Sequence, residues 1–255
     1  MLTQRSKLGI EHNAITQGAE MVDFHRRAKT CLVKVLTPNP WFVTAVREAS
    51  PTSTILGREL GDLPDPVLYP VEAAKERVEQ IRHRSDFHLI DWWEGYNEGP
   101  TGDPKAFAAM AVFEFYMAQY LHNLGKKYVA LSWGEGQPPV YWEDTEKYPW
   151  SFFIDHYAKV FQTADACGVH GYGAPRMFSP GMENWHLLRF RFWHDRLPEE
   201  LKPDIWITEL GADGGAIKSS GGFRMWCTVE EYLADLIRCD QILRRLPYVK
   251  KTAIY

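Results

Sequence analysis

The chain has 255 residues, 45% of them hydrophobic and 24% charged, enough to bury one continuous core. Lys+Arg number 29 against Asp+Glu 33, a formal net charge of -4, whereas a surface built to hold nucleic acid would lean strongly positive. No apolar run reaches the roughly 18–20 residues of a membrane span, and no apolar stretch follows the charged start, so neither a membrane partner nor a signal peptide is expected.

Short apolar runs alternate with helical patterns along the whole chain. Strands are expected at residues 7–12, 31–36, 53–58, 87–91, 127–132, 169–172, 204–208 and 251–255. Several are almost continuously apolar, as strands covered on both faces should be. Helices are expected between them, at 18–29, 41–49, 71–84, from 103 onward, 145–166, 183–197 and from 228 onward. Asp103-Pro104 supplies an N-cap and a first-turn proline, with Phe107, Met110, Ala111, Met117 and Leu121 along one face. Thr228 and Glu231 form a capping box ahead of Tyr232, Leu236, Cys239 and Leu243.

Eight strands alternating with seven helices give the rhythm of an α/β protein, a (β/α)8 TIM barrel in a single domain. The pattern lacks an eighth helix, which predicts an uncovered apolar face over strands one, seven and eight, and homo-oligomerisation through it. Cys31, Cys167, Cys227 and Cys239 stand far apart with no CxxC pair, so they read as buried free thiols rather than zinc ligands. The longest connections, 59–70, 133–144, 173–182 and 211–227, follow strands, which in a barrel puts them at the catalytic face. The glycines of the last, Gly211, Gly214, Gly215, Gly221 and Gly222, lack phosphate-loop spacing and read as a lid or plain loop.

Polar and aromatic residues gather where strands should end: Glu11-His12, Arg58, the run Asp91-Trp92-Trp93-Glu94-Gly95-Tyr96-Asn97-Glu98, Ser132-Trp133-Gly134-Glu135, His170-Gly171-Tyr172 and Thr208-Glu209. Two glutamates brought from different strands to one barrel mouth suit glycosidic bond cleavage. An acetal needs a proton donor for its leaving group, and the oxocarbenium-like transition state needs a nucleophile or a negative charge. Aromatic faces stack on sugar rings, and the chain holds Trp 10, Tyr 12 and Phe 13. Trp92, Trp93, Trp133 and Trp142 are therefore candidate sugar platforms, with at least one of Trp92 and Trp93 expected to pack in the upper barrel layer instead; His12 also stands at the mouth, while Trp206 reads as core.

Asn97-Glu98 after the fourth strand, with Glu209 at the end of the seventh and His170-Gly171-Tyr172 on the sixth, resembles the signature of clan A retaining glycoside hydrolases. The resemblance implies Glu98 as acid/base, Glu209 as nucleophile, Asn97 on the sugar 2-hydroxyl, and His170 and Tyr172 orienting substrate and nucleophile. The substrate would be a β-linked oligo- or polysaccharide. Three features depart from the family pattern. The second strand does not end in arginine, so Arg58 either substitutes for it or pairs with Glu59 or Asp62 at the surface. The eighth strand lacks a tryptophan, and Glu94 competes with Glu98 as the acid. Two other readings stay open at this point: a metal-dependent barrel using Glu11, His12, His170 and Glu209, and a carbohydrate-binding barrel without turnover. Neither His-x-His nor HExxH occurs, so no metal or other cofactor is expected.

Overall fold

Every strand runs parallel to its neighbours, and the eighth closes on the first. The computed structural model describes residues 6–100, 103–134, 136–138, 150–173, 176–178, 186–212 and 222–255. The strands are β1 (Leu8–His12), β2 (Leu32–Leu36), β3 (Thr54–Arg58), β4 (Trp92–Glu94), β5 (Lys127–Trp133), β6 (Ala166–Gly173), β7 (Ile205–Ala212) and β8 (Val249–Ile254). Among the described residues seven helices alternate with them: α1 (Ala19–Ala28), α2 (Pro40–Ala49), α3 (Pro70–Arg82), α4 (Pro104–Asn123), α5 (Trp150–Thr163), α6 (Arg189–His194) and α7 (Val229–Arg244). The architecture is a closed (β/α)8 barrel.

Local chemistry sets the helix starts. Asn39 Oδ1 accepts the Trp41 N–H at 3.0 Å with Pro40 in the first turn of α2, and Asp103 does the same for Ala106 at 3.0 Å ahead of Pro104. Thr228 and Glu231 form the reciprocal box at α7. Of the expected helix at 183–197, α6 keeps Arg189–His194, and residues 183–185 lie outside the described set.

The barrel interior is layered. Leu32, Leu56, Val129, Ala166, Trp206 and Ala253 form an apolar floor, with half-buried Trp92 packed on Trp206 at 4.3 Å between ring centroids. Outward-facing residues such as Val33, Val35, Ile55, Trp93 and Ile207 join the larger core under the helices. Charged side chains occupy the level above the floor.

The fourth strand is displaced from its expected place. Residues 87–89 form a 3-10 turn, and the strand is Trp92–Glu94, pairing Leu56 with Trp92 and Arg58 with Glu94. Phe87 and Leu89 pack only partly buried against the core, so the apolar run that suggested a strand is a surface-covering turn. Strand β7 extends through Ala212 and so includes Glu209. Over strands seven and eight the expected bare face is not found, since outward-facing Ile205, Ile207 and Val249 are fully buried, while Leu8 and Ile10 on β1 are half-buried. Exposed apolar side chains lie instead on α7, at Val229, Leu233 and Ile237. Among the described residues no helix is long and apolar enough to cross a membrane.

Candidate active site

Lys34 and Arg58 point inward from β2 and β3, one level above the floor, and both are completely buried or nearly so. Charges so placed persist only when paired. Lys34 Nζ lies 3.2 Å from Glu11, 3.2 Å from Glu94 and 3.0 Å from Glu209. Arg58 reaches Glu94 at 2.6 Å and Glu209 at 2.8 Å, and also donates to the Asn97 side-chain oxygen. It pairs with neither Glu59 nor Asp62 at the surface; Glu59 pairs with Arg84.

This frame assigns different states to its carboxyls. Burial works to raise the pKa of Glu209, but Lys34, His170, Arg58 and the Tyr172 hydroxyl outweigh it and bring it to about 2. Glu94 is held well below the usual range because Arg58 and Lys34 overcome its burial, with further help from His170 and the Ser132 hydroxyl at 2.6 Å. A carboxylate so firmly ionised and fully enclosed is poorly placed to donate a proton. Glu11 goes the other way: burial pushes it up to about 7, because Lys34 cannot fully compensate while Glu209 and Glu94 repel.

Glu98 sits on the loop after β4 with its side chain 48% exposed. Its Oε1 accepts from His170 Nδ1 at 2.7 Å. Arg58 donates to the other ring nitrogen of His170 at 3.3 Å. Because a guanidinium only donates, the ring is the neutral Nδ1–H tautomer, and burial lowers the His170 pKa accordingly. His170 Nε2 also lies 3.3 Å from Glu209, so the imidazole stands between the two glutamates. One oxygen of Glu98 and one of Glu209 are within 4.8 Å of each other. From the far side, the Tyr172 hydroxyl donates to Glu209 Oε2 at 2.7 Å.

The structure thus brings together Glu98, Glu209, Asn97, Arg58, His170 and Tyr172. It takes four other candidates elsewhere. Trp92 packs in the floor, and Trp93 faces the shell, stacked on Phe87 at 6.5 Å. Trp133 lies among Phe107, Tyr157 and Trp193, between the sheet and the helices. His12 points outward from β1 and is buried against His25, 2.7 Å between ring nitrogens, and Phe42. Trp142 and Glu135 lie outside the described residues.

Sequence reading missed Lys34, although a lone lysine in Leu-Val-Lys-Val-Leu of a buried strand was the available signal. It also missed Tyr255, whose exposed ring stands edge-on to Tyr172 at 5.9 Å.

Donor atoms of Glu98, His170 and Glu209 converge closely enough to hold a metal ion. The arrangement fits chelation poorly. His170 directs opposite nitrogens at the two carboxylates, and Glu209 is already neutralised by Lys34 and Arg58, which would repel a divalent cation.

No known sequence family matches the chain, and no curated protein does. Solved structures do. An endo-β-1,4-mannanase from Thermotoga petrophila superposes with a TM-score of 0.54 at 11% identity, over 100% of this chain and 69% of that one. A putative β-galactosidase from Bacteroides fragilis gives 0.60 at 14% identity, over 99% of this chain but 36% of its own. A β-glucosidase from Thermotoga maritima gives 0.54 at 12%, over 92% and 76%. The likeness is one of fold.

Proposed function

We propose that the chain is a retaining glycoside hydrolase that cleaves β-linked oligo- or polysaccharides by double displacement, with Glu98 as acid/base and Glu209 as nucleophile. One observation carries the reading: two carboxylates within 4.8 Å across the barrel mouth, one enclosed by cations and the other open to solvent. Retaining pairs stand about 5–5.5 Å apart, whereas inverting pairs need roughly 6.5–9.5 Å to admit a water. The mannanase, β-galactosidase and β-glucosidase folds agree with a carbohydrate-active barrel.

In the first step Glu209 attacks the anomeric carbon while Glu98 gives its proton to the departing oxygen. The bond to the leaving group breaks as the glycosyl ester to Glu209 forms. In the second step Glu98 takes a proton from water, whose oxygen attacks the anomeric carbon and frees Glu209. Lys34, Arg58 and Tyr172 keep Glu209 ionised and aimed, and Asn97, its oxygen tied to Arg58, offers its amide N–H groups to a sugar hydroxyl.

Kinetics of two variants test the assignment. Glu209→Gln should abolish turnover of every substrate. Glu98→Gln should retain the first step on glycosides with good leaving groups and regain the second with azide, releasing a glycosyl azide. Equal loss on good and poor leaving groups, without azide rescue, would contradict the role given to Glu98.

A further inference from the structure

Behind the two glutamates, β5 takes a costly path. Leu131 and Ser132 are consecutive non-glycine residues with left-handed backbone, φ 82° and 44°, where the register with β6 shifts between Ala130 and Trp133. L-residues hold that conformation only when their surroundings impose it. Ser132 placed this way holds both glutamates of the β4 end, Glu94 by its carboxyl and Glu98 by its backbone. Its hydroxyl donates to Glu94 at 2.6 Å, and its carbonyl accepts the Glu98 N–H at 3.1 Å. Glu98 is itself left-handed, φ 48°, and Gly134 makes room for it: a Cβ there would lie 2.8 Å from the Glu98 carboxyl carbon. The position of Glu98 is therefore set from β5.

Glu114, in the middle of α4, holds the bulge. It is 1% exposed, and its Oε2 accepts the Leu131 N–H at 3.0 Å and the Tyr128 hydroxyl at 2.5 Å. Its other oxygen is buried and has no hydrogen-bond partner among the described residues. Tyr128 is fully buried too, and its hydroxyl occupies the space a side chain at Gly95 would need, 2.0 Å from a Cβ there. A carboxyl between helix and sheet loses its hydration, and burial pushes Glu114 up to about 7. Apolar residues would pack that interface without this cost, and no step of the reaction touches Glu114.

We propose that Glu114, braced by Tyr128, is a positioning residue for the acid/base: it fixes the Leu131–Ser132 bulge, which fixes Glu98. The proposal rests on the assignment of Glu98 above. Glu114→Met removes the acceptor for the Leu131 N–H, Glu114→Gln keeps one, and Tyr128→Phe removes the brace. For Glu114→Met, kcat on alkyl glycosides should fall about ten- to hundredfold, as misplacement of a catalytic group by an ångström can cost. On dinitrophenyl glycosides, which need no protonation for departure, kcat for formation of the glycosyl ester should change less than about twofold. Glu114→Gln should restore the alkyl substrates, and Tyr128→Phe should show a smaller loss of the same kind. Equal losses on both substrate classes, loss without rescue by glutamine, or a folded Glu114→Met with unchanged kcat would overturn it. Glu98→Gln, run alongside, must show the same leaving-group dependence; if it does not, the assignment of Glu98 fails instead. A crystal structure of Glu114→Met then decides the positioning claim without turnover. Ser132 should leave the left-handed region and the 2.7 Å contact between Glu98 and His170 should open, whereas an unchanged bulge would refute the claim. Should Glu114→Met not fold, the same two readings are taken from Tyr128→Phe.

Discussion

Glu209 receives two hydrogen-bonded cations and a phenol, and each does different work. Lys34 and Arg58 favour its ionised form, while Tyr172, at 2.7 Å on its other oxygen, would fix in the proposed mechanism which lone pair meets the anomeric carbon. Replacing Tyr172 with Phe should lower kcat roughly ten- to hundredfold with little change in KM, since a hydrogen bond to a charged group contributes about 1.5–3 kcal/mol. Steady-state kinetics on one aryl glycoside would show it; a rise in KM at constant kcat would make Tyr172 a binding residue instead. The Glu98, Glu209, His170 and Tyr172 positions were legible in the sequence because each follows or ends a recognisable apolar run. Lys34 and Glu114 were not, because periodicity reports the face of an element and says nothing of what lies across from it. A lysine inside a strand is explained only by the three carboxylates that meet it from β1, β4 and β7.

At the scale of elements, one displaced strand accounts for most of the misplaced tryptophans. With β4 ending at residue 91, Trp92 and Trp93 would stand at the mouth. With β4 beginning at Trp92, the same residues start at the floor and alternate inward and outward. Trp133 fails for another reason: the β5 bulge turns it to the helical side, as a one-residue slip in a strand must. His12 belongs to the packing of β1 on α1. Burial holds His12 down at about 3 and His25 at about 4, each below the ordinary 6.5. The unfolded chain therefore binds protons that the folded chain refuses, so these two residues lower stability as pH falls from about 6.5 toward 3–4. His25→Gln, which keeps a hydrogen-bonding group beside His12, should flatten the fall of Tm between pH 6.5 and 4. An unchanged slope would mean that other groups carry the acid sensitivity.

For the molecule as a whole, the closed barrel follows directly from the spacing of the runs, and the parallel register from β1 to β8 confirms it. Among the described residues, one group of exposed apolar side chains forms a stripe along α7, with Val229, Leu233 and Ile237 spaced four residues apart and 47%, 52% and 60% exposed.

A covalent intermediate on Glu209, as the proposed double displacement requires, can be trapped at the barrel mouth. A panel of 2-deoxy-2-fluoro-β-glycosides with dinitrophenolate leaving groups is incubated with the protein, and its mass is then read intact and after proteolysis. One fluoroglycosyl unit per chain is expected, attached as an ester to the peptide holding Glu209. A label on any other residue, or turnover of the parent glycoside with inversion and no trapped ester, would contradict the proposed mechanism.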